Sequence, residues 1–192
     1  MRIIAGTHRR RQIVAPEGLT TRPMTDRVRE NLFNLLGPAV EGAVVLDLFC
    51  GSGALGLEAL SRGAARATFV DTDAAAIGAV ETNCRRLGLK GRARVLRRDA
   101  LRPGPWIRPI GAASYTLVLV DPPYRMTADS AGQQRLADMV QALVRLGCVV
   151  PQTVAMLRTE RGVAIELPWE GFGLADERSY GRTTLYLMVR AT

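Results

Sequence analysis

Four consecutive residues, Asp121 to Tyr124, have the chemistry needed to hold a planar base that carries an exocyclic amine. Two successive prolines, Pro122 and Pro123, fix φ and remove two backbone donors, so the segment is rigid and presents carbonyl acceptors. The Asp121 carboxylate and the Pro122 carbonyl can accept the two amine hydrogens. The Tyr124 ring can stack on the base, which contributes roughly 1–3 kcal/mol. A strand-ending turn would explain the prolines alone, but a position at the ligand edge of a sheet favours binding.

A glycine-rich turn with the spacing Gly51-x-Gly53-x-x-Gly56 indicates a second binding element. A short apolar run, 44–47, precedes the turn and a helical pattern follows it, so free N–H groups of a helix start lie beside the turn. With Asp71 twenty positions after Gly51, the pattern fits a dinucleotide whose pyrophosphate lies on the helix N-terminus. It fits S-adenosylmethionine as well. A turn that only lets strand and helix pack closely is the less favoured explanation.

Acidic residues end four of the predicted strands, and parallel strands would bring them to one edge of the sheet. They are Asp47, Asp71, Asp99 and Asp121. Asp71 suits the two hydroxyls of a ribose, and Asp99 suits an adenine amino group. Asp47 precedes the glycine turn, where it can brace the loop or meet the cationic tail of a methionine moiety. A single strand-end aspartate is often only a turn former, but four at one edge favour a ligand site.

The alternation of apolar strands with helical patterns predicts one α/β domain with a doubly wound sheet. The predicted parallel strands are 44–47, 67–71, 92–97, 115–120 and 153–157. Helical patterns begin near Thr25, Gly53, Asp73 and Ser130. An antiparallel pair, 174–176 with 184–189, is expected to turn around Ser179-Tyr180-Gly181.

The first twenty residues are predicted to form a basic β-hairpin extension, and residues 21–192 the main domain. Two β-prone runs, 2–5 and 12–15, flank a loop. The tip of that loop holds the only histidine and three arginines, His8, Arg9, Arg10 and Arg11. A histidine among arginines is expected to contact phosphate or solvent and not to act as a base. Residues 20–23 are expected to form an extended lead-in to the first helix.

The charge of the chain is strongly segregated. Its net charge is +8, from 26 basic and 18 acidic residues among 192. Nine of the basic residues lie between Arg85 and Arg108, where Asp99 is the one acid. This favours a polyanionic partner, because neutralised phosphates release counterions. A solvated basic face with a general bias towards arginine is the alternative, since Lys90 is the only lysine.

Composition also limits the protein class. No apolar run approaches the roughly 20 residues that span a bilayer, and the start of the chain lacks the apolar stretch of a secretory signal. Three cysteines, Cys50, Cys84 and Cys148, are odd in number and lack metal-ligand spacing. We therefore expect reduced thiols, no metal site and a cytoplasmic location. A monomer is the simplest expectation.

The motifs at 47–53 and 121–124 resemble those of class I S-adenosylmethionine-dependent methyltransferases that modify exocyclic amines. The resemblance narrows with further segments, Arg2-Ile3-Ile4-Ala5-Gly6, Thr21-Arg22-Pro23, Asp26-Arg27-Val28-Arg29-Glu30, Leu32-Phe33-Asn34 and 53–64. Over nearly its whole length the chain is similar to the bacterial 16S ribosomal RNA guanine-N2 methyltransferase family, whose target is position 966 in conventional rRNA numbering. Two residues depart from the family pattern. Arg10 stands where glycine is usual, and Met24 stands where threonine usually follows Pro23.

The resemblance implies a Rossmann-like, mostly parallel seven-stranded sheet with an antiparallel C-terminal strand, and S-adenosylmethionine as methyl donor. It implies donor contacts from the glycine turn and the strand ends, namely Asp47, Phe49, Gly51, Ser52, Gly53, Asp71, Asp99 and Ala100. The acceptor amine would be held by Asp121, Pro122, Pro123 and Tyr124. The partner would be 16S rRNA in the small ribosomal subunit, contacted by His8, Arg9, Arg10, Arg11 and Arg125.

Three other functions stay open on the sequence. A DNA adenine-N6 methyltransferase uses the same Asp-Pro-Pro-Tyr motif on a different amine. A NAD-dependent oxidoreductase would use the glycine spacing but would leave that motif and the basic arm without a task. A non-catalytic RNA-binding protein on the same fold would bind RNA without transferring a methyl group.

Overall fold

A seven-stranded sheet forms the centre of the computed structural model, which describes residues 1–16, 24–109, 111, 114–166 and 169–191. Its strands are β1 Val44–Leu48, β2 Arg66–Asp71, β3 Ala93–Arg97, β4 Tyr115–Val120, β5 Val149–Glu160, β6 Phe172–Tyr180 and β7 Thr183–Arg190. The order across the sheet is β3-β2-β1-β4-β5-β7-β6, and β1 to β5 pair in parallel. β7 runs antiparallel to both of its neighbours. The predicted doubly wound sheet with an antiparallel C-terminal strand is confirmed.

Four α-helices flank this sheet in the described residues. They are α1 Asp26–Leu36, α2 Ala54–Ser61, α3 Ala74–Arg86 and α4 Ser130–Arg145. The predicted start of α1 is confirmed, because the Thr25 hydroxyl oxygen accepts the Val28 N–H at 3.3 Å and so satisfies one free donor of the first turn. Gly37 and Pro38 end α1 as predicted, and the chain continues as a short 3-10 turn. None of the helices described here has the length and apolarity to cross a membrane.

Alternate residues of the central strands face opposite sides of the sheet, and each side packs its own apolar cluster. In β4, Leu117 belongs to the cluster under α1, α2 and α3, whereas Val118 belongs to the cluster under α4. The first cluster includes Ile3 and Ile13, so the N-terminal segment contributes to the core. The sheet is therefore held between two apolar layers, with the ends of its parallel strands free to form a site.

β5 is longer than the predicted strand at 153–157. Pro151 has no amide hydrogen, Gln152 has φ +68°, and the pairing with β4 shifts register between Tyr115 and Leu117. Such a bulge interrupts the alternation of side chains from which a strand is recognised. The first residues of β5 were therefore hidden from the sequence pattern.

The turn between β6 and β7 also differs from the prediction. Ser179 and Tyr180, predicted in the turn, continue β6 and pair with Thr184 and Thr183. The chain reverses just afterwards, at Gly181, whose φ of +59° suits a two-residue hairpin turn. The predicted turn was wrong by about two residues because only the glycine of that triplet favours the required conformation.

The predicted N-terminal hairpin forms as a short antiparallel pairing around a bridge between Arg2 and Gln12. Backbone hydrogen bonds join its two arms, from the Ile3 N–H to the Arg11 carbonyl, from Arg10 to Ile3 and from Ile13 to Met1. The amides of Ile4 and Ala5, which follow the first arm's paired residues, donate to the carboxylate of Glu58 in α2, at 2.8 and 3.0 Å. The predicted lead-in at 20–23, and with it the predicted domain boundary, lies outside the described residues.

Glu58 is also the centre of a buried ionic network. Its carboxylate lies 2.7 Å from Nε of Arg62 and 3.9 Å from Nε of Arg29. Arg29, only 1% exposed, donates to the Arg2 carbonyl at 2.6 Å and to Asp26 at 2.9 Å. Removing one member of such a network leaves a buried charge uncompensated. The network therefore fastens the N-terminal segment to α1 and α2.

Candidate active site

A cavity of about 320 Å³ opens at the carboxyl edge of the parallel strands, where ligands bind in sheets of this type. All four aspartates that the sequence placed at this edge line the cavity, Asp47, Asp71, Asp99 and Asp121. They come from β1, from the end of β2 and from the segments after β3 and β4. Strand direction alone thus brings together acids that are distant in the sequence.

The glycine turn between β1 and α2 takes a backbone conformation that side chains disfavour. Gly53, at the start of α2, has φ +76°, in the left-handed region where a Cβ is strained. Gly56 lacks a side chain for another reason, because a Cβ there would lie 2.4 Å from the Phe69 ring in β2. The two glycines let the chain reverse tightly and let α2 pack directly on the sheet.

Asp47 braces this turn from inside the protein. It is 1% exposed, and its Oδ2 accepts the Gly56 N–H at 2.8 Å. Burial raises the pKa of this carboxyl well above its usual range; the Gly56 amide opposes the shift, and the nearby Asp121 and Asp71 add to it. Its Oδ1 is buried and has no hydrogen-bond partner within the described part of the chain. A ligand ammonium group would supply the missing donor and favour the ionised form.

Asp71 and Asp99 each combine a structural bond with spare acceptor capacity. The two oxygens of Asp71 accept the N–H groups of Gly51, at 2.9 Å, and of Asp73, at 3.0 Å. Asp99 accepts the Leu101 N–H at 3.0 Å. A carboxylate has about four acceptor positions, so both residues can also accept from a ligand. This arrangement fits the ribose expected at Asp71 and the adenine amine expected at Asp99.

Most of the other residues predicted to contact the donor also line the cavity, namely Phe49, Gly51, Ser52 and Ala100. Gly53 is not among the lining residues, and its contribution is the conformation of the turn. Met1 lines the cavity although no sequence signal indicated it, and its sulfur accepts the Ser52 hydroxyl at 3.4 Å. Its place depends on the burial of the N-terminal segment, which no local motif predicts.

Asp121, Pro122 and Pro123 form another part of the cavity wall. The Pro123 carbonyl accepts the Met126 N–H at 2.8 Å and closes a 3-10 turn, Tyr124–Met126. No hydrogen bond between described residues uses the Pro122 carbonyl. The acceptor that the sequence predicted is thus part of the cavity wall and forms no hydrogen bond within the described part of the chain.

Arg158 in β5 is a site residue that the sequence pattern missed. Its Nε lies 2.7 Å from Oδ1 of Asp121, and the two side chains are only 6% and 17% exposed. Burial raises the pKa of Asp121, and the Arg158 guanidinium opposes that rise. The pairing of Val120 with Leu157 in the parallel ladder sets the next residues of the two strands side by side. No motif around Arg158 could indicate this, because it follows from strand register.

Tyr124, predicted beside the acceptor, lines an adjoining groove of about 940 Å³ and not the cavity itself. Its hydroxyl lies 2.8 Å from Oγ1 of Thr183 at the start of β7. The guanidinium carbon of Arg158 lies 5.1 Å from the ring centroid, within cation–π distance. These two contacts fix the ring next to Asp121 and cover one of its faces. The other face can stack on a base that enters from the groove.

A family model described as "Conserved hypothetical protein 95" matches residues 1–189. The chain belongs to this family. The family is one of class I S-adenosylmethionine-dependent methyltransferases, and its methyl donor is S-adenosylmethionine.

Two relatives and one solved structure illustrate the similarity. "Ribosomal RNA small subunit methyltransferase D" of Escherichia coli strain K12 is 45% identical over 125 residues, which are 65% of this chain and 61% of that protein. The protein of the same name from Haemophilus influenzae is 30% identical over 184 residues, 94% of this chain and 89% of that protein. The solved structure of yhhF from Escherichia coli is 34% identical and has a TM-score of 0.81, with 100% of this chain and 98% of that chain covered. The match to the first relative thus spans less than two thirds of its length.

The arginine tip that was predicted to bind RNA in this methyltransferase lies away from the cavity. The Thr7 N–H donates to the Ser61 carbonyl at 2.8 Å, at the C-terminal end of α2. Because α2 begins at the glycine turn and rises about 12 Å over its eight residues, the tip lies roughly one helix length from the cavity. Arg9, Arg10 and Arg11 are exposed there. Of the predicted RNA contacts, Arg125 is the one that lines the cavity.

His8 anchors this tip. Its Nδ1 lies 2.9 Å from Oγ1 of Thr7, and its Nε2 lies 3.0 Å from the carbonyl of Leu87, at the end of α3. Both ring nitrogens are thus engaged within the chain. The phosphate contact expected of His8 stays a prediction, and the structure gives the residue an additional packing role.

The two departures from the family pattern have structural counterparts. Arg10 has φ +67°, a conformation that glycine adopts without strain, which explains why glycine is usual there. Met24 is 9% exposed and lines both the cavity and the groove. Its side chain therefore lies at the site.

Proposed function

We propose that this chain transfers the methyl group of S-adenosylmethionine to N2 of one guanine, position 966 in conventional numbering, in 16S ribosomal RNA. The observation that carries the proposal is the shared cavity. The acceptors at Asp121 and Pro122 open into the same space as the acids at Asp47 and Asp71. The names of the Escherichia coli and Haemophilus influenzae relatives support ribosomal RNA of the small subunit as the substrate class.

The donor side of the cavity would hold S-adenosylmethionine, which supplies an electrophilic methyl group when bound. Oδ1 of Asp47 is the acceptor for the ammonium group of the methionine moiety. Asp71 accepts from the ribose hydroxyls, and Asp99 accepts from the adenine amine. The remaining donor contacts would come from Phe49, Gly51, Ser52 and Ala100, around a turn that Gly53 shapes.

The acceptor side would prepare a weak nucleophile. The lone pair of the guanine N2 amine is delocalised into the ring, so it attacks poorly. Hydrogen bonds from the two amine hydrogens to Asp121 and Pro122 localise the lone pair and orient it, while Tyr124 stacks on the base. A strong base is not needed before attack, because the amine proton becomes acidic once the new N–C bond forms. Asp121 then lies next to the proton that must leave.

The ion pair with Arg158 supports guanine over adenine as the target. The Arg158 charge favours the ionised form of Asp121, and an ionised carboxylate can only accept. Guanine carries a second donor, N1–H, beside its amine, whereas adenine carries an acceptor, N1, beside its amine. An ionised Asp121 can therefore accept from the guanine N1–H as well as from the amine, whereas adenine offers it only the amine.

The partner would be the small ribosomal subunit or its RNA. The target base has to leave its stack, or lie in a loop, to reach a cavity of this kind. We assign docking on RNA to the basic extension at 1–20 and methyl transfer to residues 21–192, in a protein that acts as a monomer in the cytoplasm.

The test uses methyl-labelled S-adenosylmethionine and three substrates. These are small subunits that lack the modification, protein-free 16S rRNA and duplex DNA, each followed by nucleoside analysis. We expect the label in N2-methylguanosine of the ribosomal RNA. Label in N6-methyladenine of DNA would replace the proposal with a DNA adenine methyltransferase. RNA binding without any label would favour a non-catalytic binding protein.

A further inference from the structure

The groove beside Tyr124 is larger than the cavity and continuous with it. It runs between the first turn of α1, the 3-10 turn after Pro123 and the turn between β6 and β7. Cavity and groove share lining residues, namely Met24, Pro123, Arg125 and Arg158. A chain lying in the groove could therefore place one of its units beside Asp121 without leaving the surface.

The walls of this groove are basic. Arg27 of α1, Arg125 of the 3-10 turn and Arg182 of the β6–β7 turn are all exposed and come from three separate elements. No acidic residue is among the described residues that line the groove. Arg182 forms an ion pair with Glu160 at 2.7 Å but stays 79% exposed, so its guanidinium is accessible to a second anion. This arrangement suits a ligand with several phosphates.

Two tyrosines add flat surfaces between these charges. Tyr124 lies on the side of the acceptor turn, and Tyr180, the last residue of β6, is half-buried on the other side. The bond between Tyr124 and Thr183 joins the two sides directly. A basic groove that carries aromatic rings is typical of proteins that hold single-stranded nucleic acid, because bases stack on the rings while the backbone meets the cations.

We propose that this groove binds the single-stranded RNA on either side of the target guanine, with phosphates at Arg27 and Arg182 and a neighbouring base on Tyr180. The proposal rests on the proposed function, since it names the path by which the substrate reaches the acceptor turn. A single strand fits better than a duplex, because only an unpaired nucleotide can present its Watson–Crick edge to Asp121 while its neighbours stay in the groove. The groove differs from the remote arginine tip because the groove contacts the nucleotides next to the target guanine.

The test compares two double variants of equal charge. Arg27→Ala with Arg182→Ala removes two groove cations, and Arg135→Ala with Arg145→Ala removes two exposed arginines of α4, which lines neither the groove nor the cavity. We expect the groove variant to weaken binding of a single-stranded RNA oligonucleotide that contains the target sequence about tenfold. For this variant, the slope of log K against log salt concentration should decrease in magnitude by about two, one for each phosphate contact that is lost. S-adenosylmethionine affinity should stay unchanged in both variants.

A second pair of variants tests the stacking contact. Tyr180→Phe keeps a ring and should bind the oligonucleotide like the parent, whereas Tyr180→Ala should bind it several-fold more weakly. Equal RNA affinity of the groove variant and the α4 control would overturn the inference. So would a groove variant that loses binding of duplex DNA but keeps binding of the RNA oligonucleotide. Methylation by the parent protein tests the proposed function separately. If the parent protein methylates small-subunit RNA, the proposed function stands whatever the groove variants bind. If it methylates no RNA, the proposed function fails whatever the groove binds.

Discussion

Asp121 experiences two opposing influences that together determine how it can act. Burial raises the pKa of its carboxyl, and the Arg158 guanidinium at 2.7 Å lowers it. The proposed chemistry needs the ionised form, because only that form accepts without also donating. Activity should therefore fall as pH drops through the pKa of Asp121, and Arg158 sets the pH at which this happens.

Arg158→Met should move the acidic limb of the kcat profile to higher pH. The reason is that burial then acts on Asp121 without a compensating cation. Arg158→Lys keeps the charge and should shift the limb much less. The measurement is single-turnover methyl transfer across pH for the two variants. Coincident pH profiles for Arg158→Met and Arg158→Lys would show that the charge of Arg158 does not control the pKa of Asp121.

Arg10→Gly should stabilise the protein by about 1 kcal/mol, because φ +67° is strained for a residue with a Cβ. Arg9→Gly is the matched control, since it removes the same charge from a neighbour without a positive φ. Urea denaturation gives the free energy of unfolding for both. If Arg9→Gly and Arg10→Gly raised the free energy of unfolding equally, the loss of charge, and not the relief of backbone strain, would be responsible.

At the scale of elements, side chains of α1 and α2 attach the N-terminal segment to the main domain. The amides of Ile4 and Ala5 donate to Glu58, and the Arg29 side chain binds the Arg2 carbonyl. The segment also brings Met1 to the wall of the cavity. Its attachment therefore couples the fold of the first residues to the shape of the site.

Glu58→Gln should lower the free energy of unfolding by about 3 kcal/mol, because a fully buried carboxylate that pairs with Arg62 and Arg29 loses its charge. Glu30→Gln, on the exposed side of α1, is the control and should change stability little. Chemical denaturation measures both, and hydrogen exchange at Ile4 and Ala5 reports the local effect. A loss of less than about 1 kcal/mol would contradict the role given to Glu58.

Local patterns made the acids and the proline turn at the cavity predictable from sequence. Each strand-end acid follows an apolar run, and Pro122 and Pro123 carry their own conformational signal. Arg158 and Met1 gave no such signal, because the first reaches the site through the register between β4 and β5 and the second through burial of the chain's first residues. The attachment of the hairpin to α2 gave no signal for a related reason, because Glu58, the partner of its amides, lies more than fifty residues away.

For the whole molecule, positive charge is distributed over more than one surface. The tip at Arg9, Arg10 and Arg11 lies at the far ends of α2 and α3, whereas Arg27, Arg125 and Arg182 surround the groove. Part of the basic stretch at 85–108 is structural, since Arg92 donates to the carbonyls of Leu60, Ala64 and Ala65. Charge alone therefore overstates how many arginines are available to RNA.

Reversing charge at the tip should weaken docking without affecting chemistry. Arg9→Glu with Arg11→Glu should raise the KM for small subunits several-fold and leave kcat nearly unchanged, because the tip is remote from the reacting atoms. The same change at Arg135 and Arg145 of α4 is the control for net charge. A KM that stays at the parent value would reject the tip as a docking arm.

Under the proposed function, the cavity is divided into a side that binds the methyl donor and a side that binds the acceptor base, and two isosteric variants test this division directly. Asp121→Asn should reduce single-turnover methyl transfer to guanine N2 by about a hundredfold or more while the Kd for S-adenosylmethionine stays within about twofold of the parent. Asp71→Asn should raise that Kd about tenfold. The measurement is the pair of values, cofactor Kd and transfer rate at saturating cofactor, for both variants. Loss of cofactor binding in Asp121→Asn, with an unchanged transfer rate at saturating cofactor, would contradict this division of the cavity.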